Sequence, residues 1–134
     1  MDGFNLWLPG KPISKARPRF TGKGAIDPQS RLVKAVGLMI KKALPEDWDA
    51  SLSYSVSFSF MVSMPKGVSK MMQSLLVTTQ HLCYKRPDLD NYIKFYLDAA
   101  NGILWDDDCK VVRLIAEKAY STSPGVNMRV FPLL

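Results

Sequence analysis

The chain has 134 residues and a formal net charge of +6, from 18 Lys and Arg against 12 Asp and Glu. That length suits one domain spanning residues 1–134, and 47% hydrophobic with 22% charged residues excludes a disordered chain. No apolar run approaches the roughly 20 residues of a membrane helix, and residues 1–10 lack the features of a secretory signal. Cys83 and Cys109 fit no zinc or redox spacing, so we expect free thiols in the reducing cytoplasm.

The first half of the chain predicts a strand, a basic loop and a helix. Residues 4–8 alternate in polarity and read as a short strand. Residues 11–27 are rich in Lys, Arg, Pro and Gly and predict an exposed loop. Asp27 as N-cap and Pro28 as the first helical residue predict a helix start, and Pro45 ends that helix. One stripe predicts its buried face: Leu32, Val36, Met39, Ile40 and Ala43.

The second half predicts a long strand, a helix and two closing strands. Residues 51–64 alternate apolar side chains with serine, which is typical of a half-buried strand whose serines face solvent or a partner. Residues 65–85 are ambiguous and allow a short helix over residues 68–75, whereas residues 90–101 predict a helix that Gly102 stops. Its predicted buried stripe is Leu89, Ile93, Tyr96, Leu97 and Ala100. The closing strands are predicted at residues 111–120 and 126–130. This order indicates a small α+β domain with a mixed sheet.

Charge is unevenly distributed along the chain. Residues 11–42 hold nine basic residues against one acid, whereas residues 88–117 hold seven of the twelve acids. A basic segment suggests a polyanion partner, because Lys and Arg bind phosphate and release its counterions. Acids in the same small domain would repel that partner unless a divalent cation neutralises them. The alternative is that both segments are solvated faces of the protein.

Two aspartates two residues apart, Asp88 and Asp90, precede or begin the predicted helix. They place two carboxylates at its N-terminus, although a helix cap and a turn residue would look the same. Lys94 follows Asp90 at i+4, where it would either form an ion pair worth ~0.3–0.5 kcal/mol or stabilise charge on a phosphate during cleavage. Asp98 continues this face at i+8.

A second acidic segment, Asp106 to Asp108, lies in the turn before the first closing strand. It is either a polar turn or the source of a third carboxylate ligand. Hard oxygen ligands without a His or Cys cluster suit Mg²⁺ or Mn²⁺ rather than zinc. His81 is the only histidine, which argues against a His-based triad.

These motifs together resemble the RusA family of Holliday junction resolvases, endonucleases often carried by phages and prophages. The similarity is strong over residues 84–120 and looser in the N-terminal basic segment. The matching segments are Arg86 to Asn91, Lys94, Leu97 to Ala99, Asn101 to Trp105, Asp107-Asp108 and Val111-Val112.

The resemblance implies a small α/β homodimer that needs Mg²⁺, with Mn²⁺ as a substitute, and cuts four-way DNA junctions by paired symmetric incisions. The family's essential carboxylates fall on Asp88, Asp90 and Asp108, and its lysine on Lys94. Asp107 would support the metal, and the extra acid Asp106 leaves open whether Asp107 or Asp108 is the main third ligand. The residues expected to bind DNA are Lys11, Lys15, Arg17, Arg19, Lys23, Lys85 and Arg86.

Other functions stay open at this point. One is a nuclease acting on other branched DNA, such as flaps or forks, and another is a DNA-binding module without catalysis. A small-molecule phosphate enzyme is disfavoured because the chain has no Gly-rich phosphate loop. We therefore expect branched DNA and a second copy of the chain as partners, and neither a membrane nor a small-molecule substrate.

Overall fold

The computed structural model describes residues 2–16, 19–22, 24–26, 28–78 and 83–133, without the side chains of 19–21, 25 and 26. The elements in chain order are β1 (Phe4–Pro9), β2 (Arg19–Thr21), β3 (Gly24–Ile26), α1 (Ser30–Ala43), β4 (Ser53–Ser63), α2 (Lys70–Thr78), α3 (Leu89–Ala100), β5 (Val111–Ser121) and β6 (Gly125–Leu133). A single turn of 3-10 helix, Asp108–Lys110, leads into β5. No helix in the described ranges is long and apolar enough to cross a membrane.

Four strands form one mixed sheet in the order β1-β6-β4-β5. β4 and β5 are parallel, and the other two pairs are antiparallel. A parallel pair needs a crossover connection, and α2 and α3 lie in the chain between β4 and β5. The predicted α+β class with a mixed sheet is confirmed, as are the strands predicted at residues 4–8, 111–120 and 126–130.

The alternation along β4 shows which face of the sheet is buried and which is partly exposed. Every second residue from Tyr54 to Val62 is buried, while the intervening residues are half-buried. α3 supplies aromatic rings to the buried face: Phe60 stacks on Tyr92 with centroids 5.1 Å apart, and Phe58 lies 6.3 Å from Tyr96. The helix predicted at residues 90–101 is confirmed, but its fully buried residues are Tyr92, Phe95, Tyr96, Ala99 and Ala100. The predicted Leu89, Ile93 and Leu97 are only partly buried against this core.

α1 packs on α3 through a face that matches the predicted one only in part: Val36 and Ile40 are buried as predicted, whereas Ala43 is exposed. Val36, Gly37 and Ile40 are buried, whereas Leu32 and Met39 are 46% and 42% exposed. The reason is the close approach of the helices at Gly37, where a Cβ would lie 3.1 Å from the carbonyl oxygen of Ala99. A glycine at the contact therefore shifts the buried stripe around the helix.

Two predictions for the N-terminal half were wrong. Residues 11–27 are not one exposed loop, because β2 and β3 pair as a short hairpin within them. α1 begins at Ser30 with Gln29 at its N-cap, two residues later than Pro28. The Gln29 amide instead holds the preceding segment: it donates to the Ser14 carbonyl at 2.7 Å and accepts from the Ala16 N–H at 2.8 Å. Asp27 lies outside the described residues, as does His81.

Three further predictions are confirmed. α1 ends at Ala43, just before Pro45. The ambiguous region after β4 contains α2, which begins two residues later than expected. Cys83 and Cys109 are free thiols, the first buried and the second exposed.

Candidate active site

The N-terminus of α3 presents two exposed carboxylates. Asp88 is the N-cap residue, with extended backbone angles, and Asp90 lies in the first turn. The Asp88 carbonyl accepts from the N–H groups of Asn91 and Tyr92, but the described residues give its side chain no capping hydrogen bond. The partial positive charge of the helix dipole lies at this end, beside both side chains. Asp90 is thus not the cap, and neither side chain is used to cap the helix.

The loop that leads into α3 is fastened to β5. Lys118 Nζ donates to the carbonyl oxygens of Lys85 and Pro87 at 2.6 and 2.8 Å. The Cys83 N–H donates to the Lys118 carbonyl at 2.9 Å. Lys118 thus makes three hydrogen bonds to this loop, donating two and accepting one. Together they set the path of the chain into the N-terminal end of α3.

Lys94 is exposed and lies one helical turn beyond Asp90. The helical rise places their Cα atoms about 6 Å apart along the axis. The ammonium group therefore shares a helix face with a carboxylate, in reach of an anion bound at the N-terminal end.

The basic N-terminal segment lies along α3. The Ile13 N–H donates to the Tyr96 hydroxyl at 3.0 Å, and the Lys15 N–H donates to the Asn91 carbonyl at 2.9 Å. Lys15 Nζ forms an ion pair with Asp98 Oδ2 at 2.8 Å. Residues 13–16 are half-buried rather than exposed as predicted, because these contacts hold them against the helix.

The second acidic segment carries a coupled pair of carboxyl groups. Asp107 is the N-cap of the 3-10 turn and Asp108 its first residue. A hydrogen bond between their carboxyl groups raises the pKa of Asp108. Desolvation and the charges of Asp107 and Asp98 raise it further.

Asp98 is a member of the site that the sequence analysis did not assign. It contacts Lys15 of the basic segment, and its charge acts on Asp108 of the acidic segment. The signal that could have found it is its spacing, since it continues the face of Asp90 and Lys94 at i+8.

The carboxylates are not assembled into one metal cage. Within the described ranges, no group of three or more His, Cys, Asp or Glu side chains is arranged to hold a metal ion. Asp98 lies two helical turns from Asp90, about 12 Å along the axis. The donors nevertheless fit Mg²⁺ chemically, because all are hard carboxylate oxygens.

The structure describes five of the seven residues predicted to bind DNA. Lys11, Lys85 and Arg86 are exposed, whereas Lys15 is held by Asp98. The backbone of Arg19 lies in β2. Two predicted residues lie outside the described ranges, Arg17 and Lys23.

The domain has aspartates at the start of α3, further aspartates after its end in the chain, and a basic segment packed along the helix. This arrangement suits a phosphodiester substrate. The family model of endodeoxyribonuclease RusA matches residues 9–131. A Bacillus subtilis (strain 168) protein, "Uncharacterized protein YqaN", is 33% identical over 97% of this chain and 96% of its own length. The chain therefore belongs to the RusA family of endodeoxyribonucleases, nucleases that act on branched DNA junctions.

Proposed function

We propose that the protein is a Mg²⁺-dependent, structure-selective endonuclease that resolves four-way DNA junctions by paired symmetric incisions during recombination and repair. It would act in the cytoplasm as a homodimer. The observation that carries the proposal is the contact of the basic segment with α3, through the ion pair of Lys15 with Asp98. This contact brings cationic groups that attract a phosphate backbone to the helix that bears Asp90 and Lys94.

The proposed metal ligands are Asp88, Asp90 and Asp108, with Asp107 supporting them. When bound, Mg²⁺ supplies a more acidic water and neutralises charge on the reacting phosphate. Asp88 and Asp90 hold negative charge at the helix end where it is favoured. Mg²⁺ binding at Asp108 would compete with protonation of this carboxyl group, whose pKa is raised by its hydrogen bond with Asp107.

The cationic groups have separate parts in this proposal. Lys94 faces the phosphate from one turn along α3 and stabilises the charge that develops on its oxygens. Lys11, Lys85 and Arg86 contact the DNA backbone around the site, which makes affinity depend on salt but carries no sequence information. Lys118 holds the loop that carries Lys85 and Arg86, through its hydrogen bonds to the carbonyl oxygens of Lys85 and Pro87.

Cleavage of a labelled mobile four-way junction tests the function. We expect paired nicks in opposite arms that require Mg²⁺, and a loss of cutting of at least about 100-fold in Asp90→Asn with junction binding retained. Asp47→Asn is the matched control, because Asp47 is an exposed aspartate after the end of α1.

Two outcomes would contradict the proposal. Binding without cutting under Mg²⁺ or Mn²⁺ would leave a DNA-binding protein. Equal or faster cutting of a flap or a three-way fork in competition would assign a different branched substrate.

A further inference from the structure

Tyr84 is the most exposed of the large apolar side chains in the described part of the chain, at 90%. Exposure by itself is ordinary for a surface residue. Two further features of the chain around Tyr84 bear on its role: its backbone is held on both sides, and two cationic residues follow it directly.

The backbone around Tyr84 is held in place. The preceding residue, Cys83, is buried and donates its N–H to the Lys118 carbonyl at 2.9 Å. The following residue, Lys85, accepts from Lys118 Nζ at 2.6 Å. The aromatic ring therefore projects into solvent from a loop that is already ordered, so a contact with it costs little further conformational entropy.

The surroundings of Tyr84 favour an anionic partner. Lys85 and Arg86 follow it directly and both are exposed. The sequence contains no Asp or Glu between Asp49 and Asp88. Tyr84 is four residues from Asp88, so their Cα atoms are at most about 14 Å apart. DNA rises by about 3.4 Å per nucleotide, so the Cα atom of Tyr84 lies within roughly four base steps of a phosphate bound at Asp88.

We propose that Tyr84 stacks on a nucleobase left unpaired at the branch point, while Lys85 and Arg86 contact the flanking phosphates. The inference rests on the proposed function and adds the contact that selects branched DNA. An exposed aromatic ring needs an open base face, and in an intact duplex both faces of a base are covered by its neighbours. Tyr84 therefore stabilises the complex with branched or single-stranded DNA and leaves duplex binding unchanged.

Affinity measurements on the full chain without divalent metal, where no cutting occurs, test this contact. The probes are a four-way junction, the matching duplex and a single strand of the same sequence. We expect Tyr84→Ala to lower affinity for the junction and the single strand by about 5- to 150-fold, with duplex affinity unchanged. Tyr84→Phe keeps the ring and should match the wild type. Met71→Ala is the control for losing an exposed apolar side chain, since Met71 is 84% exposed on α2.

Each alternative outcome has a distinct meaning. If Tyr84→Ala binds the junction and the single strand like the wild type, the stacking contact is absent. If it loses duplex affinity equally, Tyr84 supports DNA binding in general and selects nothing. A Phe variant as weak as the Ala variant would show that the hydroxyl, not the ring, makes the contact. If the wild type itself shows no preference for the junction, the proposed function fails, and the single strand alone decides whether Tyr84 stacks.

Discussion

Asp98 interacts with both charged segments of the site. Its carboxylate lies 2.8 Å from Lys15 Nζ, and its charge contributes to the raised pKa of Asp108. The side chains of the pair are 25% and 43% exposed, so the ion pair itself contributes at most about 1 kcal/mol to stability. Asp98 therefore matters through its charge. It pairs with Lys15 of the basic segment, and it raises the pH at which Asp108 ionises.

The substitution Asp98→Asn should change the pH dependence of cleavage. It removes a negative charge that acts on Asp108, so the pKa of Asp108 falls toward its ordinary value. Asp108 then ionises at lower pH, and the acid limb of Mg²⁺-dependent cleavage shifts to lower pH. Rates on a four-way junction across the acidic to neutral range measure this, with Asp47→Asn as the control. An acid limb that stays in place or moves upward would contradict the assignment of Asp108 as a ligand influenced by Asp98.

Tyr54 provides a test of the core that is independent of function. Its side chain is fully buried, and its hydroxyl donates to the Asp49 carbonyl. Burial, with smaller contributions from the charges of Asp49 and Asp106, raises the pKa of Tyr54 to about 12. Since the folded pKa lies above the unfolded value of about 10, the associated stability is complete below pH 10 and is lost as pH rises to 12.

We expect the wild type to be more stable to unfolding than Tyr54→Phe below pH 10, and this difference in stability to become smaller at higher pH. The difference in unfolding free energy should shrink by roughly 2–3 kcal/mol between pH 9 and pH 12. Urea denaturation of both proteins at each pH measures it. The other tyrosines with raised pKa values are common to both proteins and cancel in the difference. A constant difference over this range would mean that Tyr54 is not held in a desolvated site.

At the scale of elements, α3 is the structural centre of the molecule. Its aromatic face packs on the sheet, its N-terminus bears Asp88 and Asp90, and its other surfaces receive α1 and the basic segment. The closest approach is at Gly37 of α1, which lies against the carbonyl of Ala99 and the side chain of Ile103. Close packing of this kind fixes the helix that carries the site.

The substitution Gly37→Val should destabilise the protein by about 1–3 kcal/mol, because its Cβ would lie 3.1 Å from the Ala99 carbonyl oxygen and its methyl groups would crowd this contact further. Lys41→Val in the same helix is the control for β-branching, and Lys41 is exposed, so its cost should stay below about 0.7 kcal/mol. Unfolding free energies from urea denaturation compare the two. Equal effects would show that the helices are not in close contact at Gly37.

At the scale of the whole molecule, one face of the sheet has no helix over it in the described residues. Residues on this face pair across the strands as Trp7 with Asn127, and Ser57 with both Ile115 and Arg129. Ile115 is 62% exposed, Phe131 49% and Trp7 45%. This face combines apolar side chains, small serines and both signs of charge, the last from Glu117 and Arg129. Such a surface can complement the same surface of a second copy related by a two-fold axis. We propose this face as the contact of the homodimer.

The substitution Ile115→Arg should weaken that dimer, because each copy would bring a charged side chain into the proposed contact in place of an apolar one. The wild type is expected to sediment at about twice the monomer mass of 15.0 kDa, and the variant to shift toward the monomer on dilution. Met71→Arg on α2, a position 84% exposed, is the control and should leave the mass unchanged. A wild type that sediments as a monomer, or a variant as dimeric as the wild type, would exclude this face.

The sequence by itself predicted most of the elements and the aspartates of the candidate site. Alternation from Tyr54 to Val62 predicts β4 because a strand exposes every second residue to the same side, whatever the rest of the chain does. The places of Asp88 and Asp90 at the start of α3, and of Asp106 to Asp108 before β5, could likewise be predicted from local spacing. Such features depend on residues a few positions apart, which is the range over which a pattern constrains the backbone.

Only the tertiary structure decided how these parts meet. The basic segment predicted as an open loop is held on α3 by contacts such as that of Ile13 with Tyr96, which are 83 residues apart in the chain. The role of Asp98 between Lys15 and Asp108 and the buried stripe centred on Gly37 depend on the same helix packing. Contacts of this kind arise when separate elements pack around a shared core, and local periodicity carries no information about which distant groups will satisfy one another.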